Sequence, residues 1–292
     1  MSITYQNQLP DPNTGIGDGG QVSTTAADLG PGFKSVKLSS KSPIMKTRTN
    51  SGRIVSRAVS GQQWTVDIGY NPLTRAEFEP IYNFLINQRG GLKPFKVSLP
   101  QNRVPQSTTF AAYAVNASNL TNIKVSTVAG SFIIDNSYKI NVPGTTVFTG
   151  IGAANSTTGT IFTALGVGTG TGTVLAASGS TSLLIDGLSS TSGDPSPGDL
   201  FTITDSNDSN HTKMYRVTQV ETNAVYAGLP RPSVSQRIIH FVPGLQKNTF
   251  NDSVINFHNP LMRVTLASDV QEYSLDTNGL YSFSLKLEEA QP

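Results

Sequence analysis

The segment from residue 61 to residue 100 constrains the fold most, because it carries a strand pattern on each side of a helix pattern. In its first strand, large apolar residues alternate with smaller or polar ones: Trp64, Val66, Ile68 and Tyr70. A period of two places these side chains on one face of a sheet. The second strand repeats the alternation with Phe95, Val97 and Leu99. We therefore expect a half-buried antiparallel sheet with an amphipathic helix across its apolar face.

The helix pattern has a start signal, one apolar face and a stop signal. Thr74 and Glu77 have the spacing of a capping box. Apolar residues then recur every three or four positions: Phe78, Ile81, Tyr82 and Leu85. Pro80 falls inside this pattern, so either the helix kinks there or its regular part begins at Pro80. Gly90-Gly91 can take the positive φ that ends a helix.

Composition narrows the chemistry that the chain can perform. Its 292 residues suit one large or two ordinary domains. Only 14% are charged, which is low for a globular protein, and Ser, Thr, Asn, Gln and Gly make up the difference. The net charge of +2 is too small to indicate a nucleic-acid or anionic-membrane partner. Because cysteine is absent, disulfides, thiolate metal sites and thiol nucleophiles are excluded.

Strand patterns near the C-terminus resemble the one at Trp64. The alternating apolar residues are Met262, Val264 and Leu266, then Tyr281, Phe283, Leu285 and Leu287. The turn signal Asp276-Thr277-Asn278-Gly279 lies between them. We expect these strands to complete the same sheet. The predicted domains are therefore 33–104 with 246–292, interrupted by a β-rich insertion at 105–245.

The insertion has its own patterns. Residues 145–153 and 159–167 both read Thr-x-Phe-Thr-x-x-Gly, and this part resembles small β modules in structural proteins of marine phages. Leu200–Thr204 and Lys213–Val220 are predicted to form a hairpin around an Asn/Asp/Ser cluster. That cluster lacks the glycine and glutamate of an EF-hand, so we interpret it as a turn. Residues 1–32 are interpreted either as a flexible or partner-ordered N-terminal arm or as simple disorder.

A run of basic residues without any Asp or Glu extends from residue 29 to residue 66: Lys34, Lys37, Lys41, Lys46, Arg48, Arg53 and Arg57. One interpretation is a long β-hairpin arm whose cations meet acidic groups of a neighbouring subunit, such as Asp67, Glu77 and Glu79. The other is a solvated edge strand whose lysines block aggregation. A nucleic-acid groove is disfavoured, because aromatic residues do not interleave with the basic ones.

Residues 33–100 resemble the distal tail proteins and related minor tail proteins of long-tailed bacteriophages. The resemblance rests on basic residues before a Gln63-Trp64 strand, a proline-containing helix, an Arg89-Gly90-Gly91 stop and a Lys93-Pro94-Phe95 strand. It implies a mainly β fold, a β-sandwich with one flanking α-helix, and six-fold assembly into a ring. It also implies the tail tube protein and the tail-tip or baseplate hub proteins as partners.

No pattern in the sequence indicates an enzyme. Of the three histidines, His211 falls in the predicted turn and is expected to be solvated, whereas His240 lies in a strand and is expected to be structural. We expect no catalytic residue, no cofactor, no metal, no nucleic-acid specificity and no membrane insertion. No signal peptide and no apolar run of ~20 residues is seen.

The leading hypothesis is a structural virion protein that forms a ring at the distal end of the tail or in the baseplate, assembled in the host cytoplasm. The seven basic residues are its candidate interface. The alternative is a receptor- or glycan-binding protein that acts through the insertion, whose aromatic residues we otherwise assign to its core.

Overall fold

A computed structural model of the protein describes residues 8–10, 16–17, 21–22, 33–58, 61–116, 118–205 and 211–290. The predicted mainly β fold is confirmed. Most of the predicted N-terminal arm, residues 1–32, and residues 206–210 of the Asn/Asp/Ser cluster lie outside the described residues. Of the two α-helices in these ranges, neither has the length and apolar character needed to cross a membrane.

The secondary-structure elements are short and numerous. The first ten strands are β1 (Ile16–Gly17), β2 (Gln21–Val22), β3 (Phe33–Lys41), β4 (Ile44–Arg48), β5 (Ile54–Ala58), β6 (Gln63–Tyr70), β7 (Phe95–Val97), β8 (Lys124–Val125), β9 (Ser137–Val142) and β10 (Ile161–Thr163). The others are β11 (Thr173–Ala176), β12 (Ser182–Asp186), β13 (Leu200–Thr204), β14 (Met214–Glu221), β15 (Arg237–Val242), β16 (Val254–Asn256), β17 (Met262–Leu266), β18 (Ser274–Leu275), β19 (Tyr281–Ser282) and β20 (Ser284–Glu289). The helices are α1 (Arg75–Asn87) and α2 (Thr108–Val115), with 3-10 turns at Gly90–Leu92, Pro100–Asn102 and Phe148–Ile151.

The chain forms two compact units. Unit 1 comprises Met1–Pro100 and Leu261–Pro292, and unit 2 comprises Gln101–Pro260. Unit 2 extends to Pro260 because β16 pairs with β13 and belongs to its barrel. The predicted division into a ring domain and an insertion that fold separately stays a prediction.

Unit 1 is built on a five-stranded sheet in the order β3-β6-β20-β17-β7. Every pairing is antiparallel, and the C-terminal strands belong to this sheet as predicted. Their place between β6 and β7 is given by the structure. Val97 at the end of β7 pairs directly with Met262 at the start of β17. The chain therefore leaves this sheet and returns to it at neighbouring positions.

One face of this sheet forms the core of unit 1. Along β6 every second side chain is buried, which confirms the predicted register of Trp64, Val66, Ile68 and Tyr70. Phe95, Val97, Leu285 and Leu287 are also buried. Tyr281 and Phe283 are only half-buried, because the strand is interrupted between β19 and β20. Buried Glu289 accepts a hydrogen bond from the backbone N–H of Trp64 at 3.1 Å.

Helix α1 begins at the predicted cap. The Glu77 carboxylate accepts hydrogen bonds from the N–H and the hydroxyl of Thr74, each at 2.8 Å. Pro80 lies within the helix, and Phe78, Ile81 and Leu85 are buried. Arg89 takes the first left-handed position after the helix, with φ of 55°, and Gly90 takes the second. The expected double-glycine stop is therefore an Arg-Gly stop.

Unit 2 contains a closed barrel in the order β12-β15-β14-β13-β16-β8 and a three-stranded sheet in the order β10-β9-β11. The predicted hairpin is confirmed, because β13 pairs with β14. The interior of unit 2 is rich in aromatic side chains: Phe132, Phe148, Phe162, Phe201 and Tyr215 are all buried. The two similar fragments adopt different conformations: Phe148 lies in a 3-10 turn and Phe162 in β10, yet their ring centroids are 5.6 Å apart.

Candidate assembly interface

The seven basic residues are distributed over an edge strand and a hairpin of unit 1. Lys34, Lys37 and Lys41 lie on β3, which pairs with β6 alone among the described strands. The other four belong to the segment Ile44–Ala58, in which β4 and β5 form a two-stranded sheet of their own. We call this segment the basic hairpin. The part of the interpretation that predicted a β-hairpin arm therefore has a structural counterpart.

A tight turn holds the two strands of the basic hairpin in register. The N–H of Thr49 donates to the carbonyl of Arg53 at 2.9 Å, and the N–H of Gly52 donates to the carbonyl of Thr49 at 2.9 Å. Gly52 has φ of 79°, a conformation that side chains with a Cβ disfavour. Met45 pairs with Arg57, and Thr47 with Val55. Since directly paired residues share a face, Met45, Val55 and Arg57 lie on one face of the hairpin.

The basic hairpin also exposes apolar side chains that the sequence analysis did not single out. Ile44, Met45, Ile54 and Val55 are each more than half exposed, at 51%, 62%, 60% and 51%. The available signal is that the apolar residues come in adjacent pairs, so each face of the hairpin carries some of them. A two-stranded hairpin is at best marginally stable alone in water. These side chains therefore remain available for burial by another surface.

Two of the three acidic residues that follow in the sequence, Glu77 and Glu79, already have partners within the chain. Asp67 lies between Lys37 and Lys286 in cross-strand register. Glu77 caps α1, and Glu79 forms an ion pair with Arg75 at 3.4 Å. Among the described residues, none of the seven basic side chains forms an ion pair with an acidic one. Acidic partners for these cations would have to come from outside this set.

An open groove lies in unit 1 beside the start of β3. It has a volume of about 650 Å³. Its lining residues include Tyr70, Tyr273 and Phe283, together with Lys34 and Glu272. The Tyr70 and Phe283 rings stack at 4.1 Å between centroids, and the Tyr273 side chain is 48% exposed. We call this site the aromatic groove.

The histidines of unit 2 have structural environments. The prediction that His211 is solvated is wrong: it is buried, and its Nε2 lies 2.8 Å from the Tyr215 hydroxyl. The error arises because His211 is adjacent to β14 and packs on its aromatic side chain. His258 is half-buried, and its pKa is lowered. Burial is the larger cause, and the positive charge of Arg103 is the second.

His240 connects two other side chains. Its Nδ1 lies 2.7 Å from the Ser182 hydroxyl, and its Nε2 lies 2.9 Å from a Glu221 oxygen. These are the residue types of a hydrolase triad. However, Ser182 is buried and sits in the regular ladder between β12 and β15. The other Glu221 oxygen accepts the N–H of Ala227. We interpret this hydrogen-bond network as structural: it connects β12, β15 and β14 to one another and to the loop after β14.

Further candidates from the sequence show no binding geometry. Buried Asp205, next to the predicted turn, accepts hydrogen bonds from the N–H of Phe250 and the hydroxyl of Ser253. Within the described ranges, no group of three His, Asp or Glu side chains could hold a metal ion. Most aromatic residues of the insertion are core, as expected, but Tyr226 is 44% exposed with the Arg231 guanidinium 5.0 Å from its ring centroid.

Comparison of the sequence with protein families gives one match. Residues 22–102 match the model described as distal tail protein pb9, A domain, N-terminal. This segment includes β3, the basic hairpin, β6, α1 and β7. The match places the segment in the phage distal tail protein family. The resemblance predicted from the sequence is thereby confirmed, and the distal tail family supports a structural role in a phage tail. No curated protein matches the chain.

Proposed function

We propose that this protein is a non-enzymatic virion component that forms a hexameric ring at the distal end of a phage tail or in its baseplate. The ring would link the tail tube to the tail-tip or hub proteins and would assemble in the host cytoplasm. The basic hairpin is the observation that carries the proposal. The family resemblance supplies the six-fold symmetry.

The basic hairpin has exposed apolar side chains and cations that form no ion pair among the described residues. Its Ile, Met and Val side chains are only about half exposed, so each would contribute about 1–2 kcal/mol on complete burial. Its cations would add little individually, about 0–1 kcal/mol for each exposed pair, but would act together and be weakened by salt. A ring forms when each subunit offers one surface to the next and receives a different surface in return. A projecting hairpin suits the first of these roles.

Charge reversal tests whether the basic hairpin is an assembly contact. The double variant Arg48→Glu/Arg57→Glu reverses one charge on each face of the hairpin. It should lower the ring fraction in negative-stain images and in light scattering after size exclusion, while the circular dichroism spectrum stays unchanged. Lys93→Glu/Arg216→Glu is the matched control, because both side chains are exposed and outside the hairpin. Raised salt should weaken the wild-type ring in the same direction.

Two outcomes would contradict the proposal. If the wild-type protein and its parent particle show no ring under any salt condition, the ring assembly is wrong. If Arg48→Glu/Arg57→Glu assembles as well as the control, the interface role fails and the solvated edge-strand interpretation is favoured.

A second candidate function is recognition of a host receptor or glycan by unit 2. The observation that favours it is the loop after β14, where Val225, Tyr226 and Leu229 are exposed and Arg231 stacks on Tyr226. Exposed aromatic rings bind the apolar faces of sugars and contact proteins effectively. A glycan array probed with the wild type and with Tyr226→Ala tests this function. Equal signals for both variants would contradict it.

A further inference from the structure

We propose that the basic hairpin of one subunit docks in the aromatic groove of the next copy of this chain. This inference rests on the ring assembly proposed above and names the two surfaces that would form its seam. The hairpin and the groove have distinct positions along the ladder between β3 and β6, and their side chains are chemically complementary.

The hairpin and the groove lie at opposite ends of that ladder. The chain passes into the basic hairpin after Lys41, whose cross-strand partner is Gln63. The groove lies at the other end, where Phe33 pairs with Tyr70 and where Lys34 forms part of the lining. Seven residues of extended strand separate Lys34 from Lys41, which corresponds to roughly 23 Å.

This separation decides between self-docking and docking on a neighbour. Met45 and Arg57 are near the base of the hairpin, next to its first pair, Ile44 and Ala58. Met45 follows Lys41 by four residues, so this face of the hairpin begins near the Lys41 end of β3, which is the end farther from the groove. A donor at one end of a subunit and an acceptor at the other produce the head-to-tail contact from which rings are built.

The two surfaces are chemically complementary. Met45 and Val55 share a hairpin face, and both are more than half exposed. The groove offers the exposed Tyr273 ring and the half-buried Phe283 ring, which suit a methionine thioether and a branched aliphatic side chain. Arg57 lies on the same hairpin face, and Glu272 lines the groove. Neither of these two charges forms an ion pair among the described residues, so each can pair with the other across the seam.

The absence of cysteine allows a direct test, because any introduced pair of cysteines is the only pair available. Met45→Cys places a thiol on the hairpin, and Ser274→Cys places one on an exposed rim of the groove. Oxidation of a mixture of these two single variants should give a covalent dimer. The double variant should give a ladder of covalent oligomers. Val55→Cys replaces Met45→Cys if the latter does not fold.

Controls separate the proposed seam from random collision. Thr218→Cys, an exposed position in unit 2, should give little dimer with Met45→Cys. Adding Glu272→Arg to the Ser274→Cys chain should lower the dimer yield by roughly fivefold, the factor for about 1 kcal/mol. Adding Arg57→Glu to the hairpin partner as well should restore much of that yield, because the charges are then exchanged.

The outcomes distinguish this inference from the proposed function. If the wild-type protein forms rings but the mixed variants give no more dimer than the Thr218→Cys control, the docking site is wrong and the ring remains. If the double variant yields only an internally bridged monomer, the hairpin binds its own groove and the inference is overturned. If the wild-type protein forms no ring at all, the proposed function itself fails.

Discussion

The two units bury different kinds of side chain. In the described part of unit 1, the only fully buried charged residue is Glu289. Unit 2 buries many more: Arg103, Asp199, Asp205, Lys213, Glu221 and Arg237. The core of unit 1 lies between a sheet and a helix, whose backbones satisfy themselves. Unit 2 has short strands and long connections, and buried side chains must hold those connections in place.

This difference predicts how each unit responds to mutation. Unit 1 should be sensitive to the loss of large apolar side chains. Unit 2 should be sensitive also to the loss of single hydrogen-bonding groups and to pH.

Trp64→Ala should destabilise unit 1 by about 3–5 kcal/mol, because it removes a large side chain from a packed core and leaves a cavity. Trp64 is only 3% exposed. Urea unfolding followed by circular dichroism measures the loss. A loss of stability below about 1 kcal/mol would mean that the core of unit 1 does not depend on the Trp64 indole. It would also remove the contrast between the units.

Asp199→Ala should destabilise unit 2 by about 2–4 kcal/mol, because two backbone donors lose their acceptor. The Asp199 carboxylate accepts the N–H of Gln106 at 2.9 Å and that of Ser196 at 2.8 Å. Asp199→Asn is the matched control and should cost less, since one oxygen remains. Equal losses for both variants would indicate that charge, rather than hydrogen bonding, is what unit 2 requires at this position.

His258 should make unit 2 less stable as the pH falls. Its pKa in the fold lies below the ordinary value of 6.5, so the unfolded chain takes up the proton first. The stabilisation is present above pH 6.5 and is lost as the pH falls through the pKa of the folded protein. Thermal unfolding between pH 5 and 8 should therefore show a smaller decline for His258→Gln. A decline identical to that of the wild type would contradict the assignment.

Val55→Ala in the basic hairpin should change the stability of the monomer by less than about 0.5 kcal/mol, because this side chain is 51% exposed. The same variant should reduce ring formation. A large loss of monomer stability would show that the hairpin packs within its own chain.

The sequence predicted those parts of the fold in which burial and chain order coincide. The alternation from Trp64 to Tyr70 and the Thr74–Glu77 cap could be identified because each depends on residues close in the chain. The place of β16 in the barrel could not, because its partners β8 and β13 are distant and its three residues carry no distinctive pattern.

The candidate site was predictable only in part. The seven cations were visible as a run without acids, and a hairpin arm was one interpretation of them. The aromatic groove was not predictable, because Lys34, Tyr70 and Glu272 come from three separated segments. The two similar fragments show the same limit. They share one local pattern, yet Phe148 lies in a 3-10 turn and Phe162 in a strand. What the two phenylalanines have in common is burial in the same core.

The pairing of Val97 with Met262 has a consequence for how such a chain can diversify. Directly paired residues of antiparallel strands have Cα atoms about 4.5–5.5 Å apart, so the sheet presents closely spaced exit and entry points. The entropy of closing a connection between them grows only logarithmically with its length. We therefore expect that a domain of very different size can be inserted between Val97 and Met262 while the register of the surrounding strands is kept. The condition is that the termini of the inserted domain lie close together. Other inserted domains could then replace unit 2 between β7 and β17, in evolution or by design.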